Sequence, residues 1–109
     1  MVVDMDQLFG SQTRTDTLVA IGRLGETYVL ELARVLGRQP TDVRRALVSL
    51  ERAGAIATRR MGRTRVVQLE PRFWAANELH ALLLRLSEMP RHRHRWGTVR
   101  GRPRNSAQV

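Results

Sequence analysis

The sequence of 109 residues contains no cysteine and no lysine, and only 5% of its residues are aromatic. Without cysteine, the chain has no disulfide framework, no thiolate metal site and no thiol redox switch. Without lysine, all 19 basic residues are arginine. Arginine presents a planar fork of donors to phosphate and guanine that lysine does not reproduce. A coding bias toward GC-rich codons would produce the same arginine excess.

Long apolar runs and catalytic constellations are also lacking. The first twenty residues contain Asp4, Asp6 and Asp16, so they resemble neither a signal peptide nor a membrane span. No nucleophile has a base at suitable spacing, and no glycine loop or carboxylate pair suggests catalysis. We therefore expect a single-domain cytoplasmic protein that is not an enzyme and has no cofactor, small-molecule substrate or membrane partner.

Positive charge is abundant and unevenly distributed. The formal net charge is +9 and the sequence pI is about 11.8, which favours a polyanionic partner. Residues 90–109 contain six arginines and no acid, whereas residues 1–90 contain 13 arginines and 10 acids. We predict that residues 90–109 are a disordered tail, which is either a solvated charge run or an extra contact to phosphates.

A lead-in segment, residues 1–10, is followed by a predicted domain over residues 11–89. Ser11 is a candidate N-cap, and Gly37 can end a helix in the left-handed conformation. Apolar spacing and β-favouring residues predict two helices with a brief strand between them: residues 12–24, residues 26–28 and residues 29–36. The chain then turns at Gly37 toward a third helix.

The third helix is predicted to begin at Pro40 and to end at Gly54. Pro40 suits the first helical position, and Asp42 can interact with the free amides of the first turn. One stripe of the helix is apolar and must face the core: Val43, Ala46, Leu47 and Leu50. The exposed side carries Thr41, Arg44 and Arg45 near the amino end, where a recognition helix meets base edges.

A basic hairpin is predicted directly after this helix. Residues 55–69 divide into two strand-like runs around Gly62, which permits a tight turn. Four arginines lie on or near its tip and are candidates for contacts to a phosphate backbone: Arg59, Arg60, Arg63 and Arg65. Two helices, a glycine turn, a third helix and a basic hairpin follow the plan of a winged helix-turn-helix.

A last helix is predicted over residues 72–89, after Pro71 and before Pro90. It carries more apolar residues than a small core requires, so we expect it to form a homodimer interface. The predicted interface residues are Phe9, Trp74, Leu79, Leu82, Leu83 and Leu86. Packing within one chain, or lining a ligand pocket, are the alternative roles for this helix.

Residues 8–88 resemble ArsR-type winged-helix transcriptional regulators. The resemblance rests on LFGSQTRTDTL, on YVLELARVLGRQPTDVRRALVSLERAGAI and on TRRMGRTRVVQLEPR, in this order. It implies a homodimer on a pseudo-palindromic DNA site, with Thr41, Arg44 and Arg45 facing bases, Pro40 near the backbone and the arginine hairpin as the wing. Metal-responsive members carry cysteines in the second helix, and this chain has none.

A metal site in the last helix is the remaining form of sensing that the resemblance suggests. Its candidates are Glu78 and His80, with His92 and His94 beyond Pro90. Carboxylate and imidazole are suitable ligands for zinc. Ordinary polar roles explain the same residues, and we expect no bound metal.

The sequence therefore predicts a mainly α fold with a small β-hairpin, an α+β winged helix-turn-helix. The expected function is sequence-specific binding of double-stranded DNA by a homodimeric transcriptional regulator, a repressor. Two alternatives remain open: an architectural protein that binds DNA or RNA without reading sequence, and a winged-helix adaptor that docks proteins.

Overall fold

The computed structural model describes residues 4–98. Its elements, in chain order, are helices α1 Met5–Phe9 and α2 Gln12–Leu24, strand β1 Thr27–Tyr28, helices α3 Val29–Leu36 and α4 Pro40–Arg52, strands β2 Ile56–Met61 and β3 Thr64–Leu69, helices α5 Ala76–Ser87 and α6 Pro90–Arg93, and a 3-10 helix His94–Thr98. The predicted fold class, mainly α with a small β component, is confirmed.

Local signals in the sequence account for the ends of α2, α3 and α4. The Ser11 hydroxyl accepts a hydrogen bond from the Arg14 amide at 3.1 Å and so caps α2. Gly37 ends α3 with a φ of 65°, in the left-handed region that favours glycine. Pro40 occupies the first turn of α4. The predicted starts of these three helices are confirmed.

The three strands form one antiparallel sheet in the order β1-β3-β2. Arg60 lies opposite Arg65, and Met61 lies opposite Thr64, so Gly62 and its neighbour close the hairpin. Thr27 of β1 pairs with Val67 and ties the base of the hairpin to the helices. The hairpin is the wing of the fold.

Helix α2 lies at the centre of the core. Its residues from Thr15 to Gly22 are all buried, and α3, α4, α5 and the sheet pack around it. A side chain at Gly22 would place its Cβ 2.7 Å from the Leu83 Cβ of α5, which is closer than real contacts allow. The short distance between α2 and α5 therefore requires glycine at this position.

Helix α5 begins four residues later than predicted. The chain turns after the wing, with the Phe73 amide bonded to the Glu70 carbonyl at 3.1 Å and the Ala76 amide bonded to the Phe73 carbonyl at 2.9 Å. These bonds form turns rather than a helix, so the helix predicted over residues 72–89 is confined to Ala76–Ser87. Trp74 consequently belongs to a turn.

The predicted disorder is wrong for residues 90–98. This segment, which we call the C-terminal strap, contains α6 and the 3-10 helix. Its Arg91 and Arg95 are paired with buried or half-buried acids, and its Trp96 packs against the core. A charge run predicts disorder only when its charges are solvated, and two of the three arginines of this segment are paired with acids instead. Residues 99–109 of the predicted tail lie outside the described residues.

The lead-in segment contains α1, which packs on α2. The Asp4 carboxylate caps α1 by accepting a hydrogen bond from the Asp6 amide at 3.0 Å. The Thr15 hydroxyl of α2 donates to the Met5 carbonyl at 3.3 Å, so the segment is attached to the core. Among residues 4–98, no helix is long and apolar enough to cross a membrane.

Candidate nucleic-acid interface

Helix α4 has one face anchored in the core and one face in solvent. The predicted apolar stripe is buried, and Val43 is fully inaccessible. Thr41, Arg44 and Arg45 are exposed on the other side, together with Val48. Because the buried stripe fixes the helix, these exposed side chains have a defined position from which to contact a groove.

Arg44 and Arg45, near the amino end of α4, are available to a partner. The Arg45 side chain is 79% exposed and lies 3.5 Å from the Asp42 carboxylate of the same helix. An ion pair between exposed side chains contributes little in water and exchanges readily for another anion. Arg44 lies among the residues that line a groove between α4 and the wing.

Two wing arginines, Arg63 and Arg65, line the groove with α4, and a third, Arg60, lies on the same face of the hairpin as Arg65. Arg60 and Arg65 are cross-strand partners and share the face of the hairpin that also carries the buried Val67. The Arg65 guanidinium donates to the Thr58 hydroxyl at 3.3 Å. Arg63 occupies the turn and lines the same groove as Arg65. The tip of the wing is therefore cationic on the side of the exposed helix.

Arg59 differs from the other wing arginines. Its neighbour across the sheet is Val66, so it lies on the face of the hairpin away from the core. Its guanidinium forms an ion pair with the Glu26 carboxylate. The structure thus separates Arg59 from the other three predicted wing contacts.

The groove between α4 and the wing has a volume of about 550 Å³. Apolar side chains of both elements line it, among them Leu47, Val48 and Val67, and so do three of the candidate arginines. Arginine forms bidentate hydrogen bonds with phosphate. The groove and its rim therefore have the chemistry required to hold a nucleic-acid backbone beside the helix.

The residues predicted for a dimer interface fall into three groups. Leu83 is fully buried within its own chain, so the prediction for Leu83 is wrong: this leucine packs against α2 as a core residue. Phe9, Leu79 and Leu86 are half-buried against the same core. Leu82 is 37% exposed and Trp74 is 90% exposed. Of the six predicted interface residues, these two are the exposed ones.

The weak metal candidates do not form a site. His80 lies with its Nε2 atom 3.2 Å from the Gly22 carbonyl of α2, which occupies that ring nitrogen. Glu78 is exposed on the first turn of α5, and His92 is a buried residue of the strap. Among residues 4–98, no group of three or more acidic, histidine or cysteine side chains could hold a metal ion.

A buried charge cluster was not predicted from the sequence. Asp16 of α2 is fully buried, and three guanidinium groups contact its carboxylate. The shortest N to O distances are 2.9 Å for Arg91, 3.0 Å for Arg38 and 3.6 Å for Arg95. The one local signal was an acid within a helix that is otherwise apolar or uncharged from residue 15 to residue 22.

The pKa values of two groups near Asp16, Asp6 and His92, are shifted in the folded chain. The hydrogen bond from Arg91 holds the pKa of Asp6 below its usual value. Burial lowers the pKa of His92, and this effect exceeds the opposing attraction of Asp16. The His92 Nδ1 atom lies 2.9 Å from the guanidinium of Arg95. An arginine only donates, so Nδ1 accepts and His92 is in its neutral form.

No family model and no curated protein match the chain. Several solved structures do. AdcR, the adhesin competence repressor of Streptococcus pyogenes, is 16% identical over 72% of this chain, with a TM-score of 0.59. The transcriptional regulator SlyA is 13% identical over 90% of this chain, with a TM-score of 0.65. A MarR-family regulator from Silicibacter pomeroyi is 17% identical over 84% of this chain, with a TM-score of 0.58.

These similarities show that the chain has a winged-helix fold. They support the predicted winged helix-turn-helix but not the ArsR-type assignment, because one of these neighbours is a MarR-family regulator. The chain spans 57% of the length of AdcR and about two thirds of the other two chains, at 69% and 68%.

Proposed function

We propose that this chain is a sequence-specific, double-stranded DNA-binding regulator of transcription. The observation that carries the proposal is the juxtaposition of a core-anchored helix, with Arg44 and Arg45 exposed, and a wing whose Arg63 and Arg65 line the groove beside it. In this proposal α4 enters the major groove, and the wing contacts the backbone or the adjacent minor groove. The fold of the three neighbours, all named as regulators or repressors, agrees with it.

Base reading is assigned to the amino-terminal half of α4. Arginine contacts the O6 and N7 atoms of guanine in pairs, and threonine contacts several base edges. The proposed base contacts come from Thr41, Arg44 and Arg45. Pro40 is proposed to lie close to the DNA backbone. The wing arginines Arg60, Arg63 and Arg65 supply phosphate contacts, which set affinity and orientation without reading sequence.

The proposed active form is a homodimer. Two recognition helices reach successive major grooves when their centres are about 34 Å apart, which one chain cannot achieve. Trp74, just before α5, and Leu82, within α5, expose apolar surface. Met89, just after α5, exposes half of its surface. A self-complementary contact there would cover these side chains. Repression is the proposed outcome, because a dimer on a promoter blocks access to it.

Selection of duplexes from a random DNA library by the purified chain tests the proposal. We expect an enriched motif with two-fold symmetry and half-sites about 10 base pairs apart. Arg44→Ala and Arg45→Ala should weaken or alter the motif. Arg72→Ala is the matched control, because this exposed arginine follows β3 and lies at the base of the wing. Equal recovery of all sequences, or equal binding of RNA, would instead assign the chain to architectural nucleic-acid binding.

The oligomeric state is tested separately by sedimentation equilibrium. A mass of twice 12.5 kDa is expected, and Trp74→Ser with Leu82→Ser should yield the monomer. Neither residue belongs to the core, so the monomer should retain its helical circular dichroism. A wild-type monomer at concentrations at which it binds the selected DNA would contradict the dimer.

A further inference from the structure

The Asp16 cluster links the C-terminal strap to the turn before α4, and the strap also packs against α3, which leads into that turn. On one side, the Arg38 guanidinium contacts the Asp16 Oδ2 atom at 3.0 Å. On the other side, Arg91 and Arg95 of the C-terminal strap contact the same carboxylate. Asp16 has no exposed surface, whereas its three arginine partners are partly exposed. The carboxylate is the shared member of the cluster.

Arg38 lies in the turn that sets the start of α4. Its backbone amide donates to the Ala33 carbonyl at 3.0 Å, and the next residue, Gln39, is the N-cap of α4. The Gln39 carbonyl accepts from the amides of Asp42 and Val43 at 3.0 and 3.2 Å. Holding the Arg38 side chain therefore restrains the turn from which the recognition helix begins.

The strap encloses the contact between Asp16 and Arg38. Its position is fixed by the Trp96 indole, which donates to the Ser87 carbonyl at 2.7 Å and lies 5.8 Å from the Arg23 guanidinium. An ion pair is stronger when water is excluded from it. Release of the strap would admit water to Asp16 and weaken its hold on Arg38.

We propose that Asp16 is a positioning residue through which the docked C-terminal strap orders the start of the recognition helix. A docked strap gives α4 one orientation and so favours sequence reading. A released strap leaves the arginines of α4 and the wing in place, so affinity for unrelated DNA is retained while discrimination falls. The effect on DNA rests on the proposed function, whereas the coupling between strap and turn does not.

Amide hydrogen exchange on the full-length chain without DNA tests the coupling. The double variant Arg91→Gln, Arg95→Gln removes the ion pairs between the strap and Asp16 and leaves Arg38 in place. We expect exchange about tenfold faster or more at the amides of Arg38, Asp42 and Val43, with wing amides little changed, because the loosening is local. Unchanged exchange at the turn, or equal acceleration in the wing, would show that the strap only adds global stability and would overturn the proposal.

Two further variants keep this test interpretable. Trp96→Ala releases the strap without altering any charge and should reproduce the accelerated exchange, even where the double variant folds poorly. Arg93→Gln is the matched control, since Arg93 is exposed on the same strap and makes no contact with Asp16 in the structure. Acceleration in Arg93→Gln equal to that in Trp96→Ala would contradict a role for the carboxylate.

DNA binding supplies the second readout. Binding to the selected motif and to a scrambled duplex is measured for each variant, and the ratio of the two dissociation constants is compared. Trp96→Ala should lower this ratio about tenfold with little change on scrambled DNA, and Arg93→Gln should leave it unchanged. An unaltered ratio in a variant whose turn exchanges faster would overturn the proposal. If the wild type selects no motif, the proposed function fails, and hydrogen exchange alone decides the coupling.

Discussion

Arginine has two different uses in this molecule, one at the helix and wing surface and one around Asp16. Arg45 is 79% exposed and its nearest acid, Asp42, is itself exposed. Arg95 is only 14% exposed and its acid is fully buried. The side chain is the same, so burial and pairing decide its role. Charge alone therefore does not separate the arginines that are available to a partner from those that hold the fold together, whereas burial and pairing do.

The difference between the two regions predicts opposite effects on stability. Asp16→Asn leaves three guanidinium groups beside a buried neutral amide, and breaking a buried ion pair costs about 3–5 kcal/mol in the free energy of unfolding. Asp42→Asn removes the exposed pair with Arg45 and one negative charge from the first turn of α4, and should cost about 1 kcal/mol or less. Urea unfolding of both variants measures the difference. Similar losses would mean that the Asp16 cluster is no more stabilising than a surface pair.

Replacing an exposed arginine of α4 should weaken DNA binding and leave the stability of the fold unchanged. Arg45→Ala is expected to lose about 1–3 kcal/mol of binding free energy on the selected DNA if it reads guanine, with an unchanged free energy of unfolding. Fluorescence anisotropy with the selected duplex and a scrambled one gives both affinities. An equal loss on both duplexes would reassign Arg45 from base reading to phosphate contact.

Within the wing, the comparison concerns Arg63 and Arg59. Arg63→Ala should reduce the slope of log affinity against log salt by about 0.9, the value of one released phosphate contact. Arg59→Ala should change the slope less, because its guanidinium is paired with Glu26 on the other face of the hairpin. Affinities at four or more salt concentrations provide the slopes. A larger change for Arg59 would show that the wing approaches DNA by its opposite face.

A smaller effect on the free energy of unfolding is expected from the protonation of His92 in the strap. The folded chain holds His92 neutral with its pKa below the ordinary value of 6.5, whereas the unfolded chain titrates at that ordinary value. As pH falls through 6.5, the unfolded state binds a proton that the folded state does not, so the free energy of unfolding decreases. The groups that face His92 are Asp16, Asp6, Arg91 and Arg95.

Urea unfolding at several values between pH 7.5 and pH 5 measures this loss. The Asp6 carboxylate, which faces His92, remains ionised over this range, since the hydrogen bond from Arg91 lowers its pKa. His92→Gln should remove the part of the slope that comes from His92, and His94→Gln, on the exposed side of the strap, should keep it. A slope unaffected by His92→Gln would assign the pH dependence to another group.

Local signals were sufficient to predict the central part of the fold. Ser11, Gly37, Pro40 and Gly62 act on their immediate neighbours through capping, turn geometry or a fixed φ. The helices and the hairpin that they delimit were predicted with nearly the observed bounds. The exposed arginines of α4 could be chosen for the same reason, because helical periodicity separates the buried stripe from the opposite face.

Contacts between distant residues were not predictable from such signals. Arg91 lies 75 positions after Asp16, so neither the cluster nor the order of the strap is visible in local sequence. Leu83 was misassigned because the periodicity of α5 shows that one face is apolar, but not whether α2 or a second chain covers it. Glycine at position 22 allows the close approach of α5, and this requirement is apparent only in the packed structure.

The central claim is that the exposed arginine surface reads DNA sequence. A competition titration tests it most directly: the full-length chain is bound to the selected duplex and displaced by either the same duplex or a scrambled one at physiological salt. We predict that the selected duplex competes at least about 10³-fold more strongly, and that Arg44→Ala with Arg45→Ala removes most of this preference. Equal competition by the two duplexes for the wild-type chain would contradict the claim.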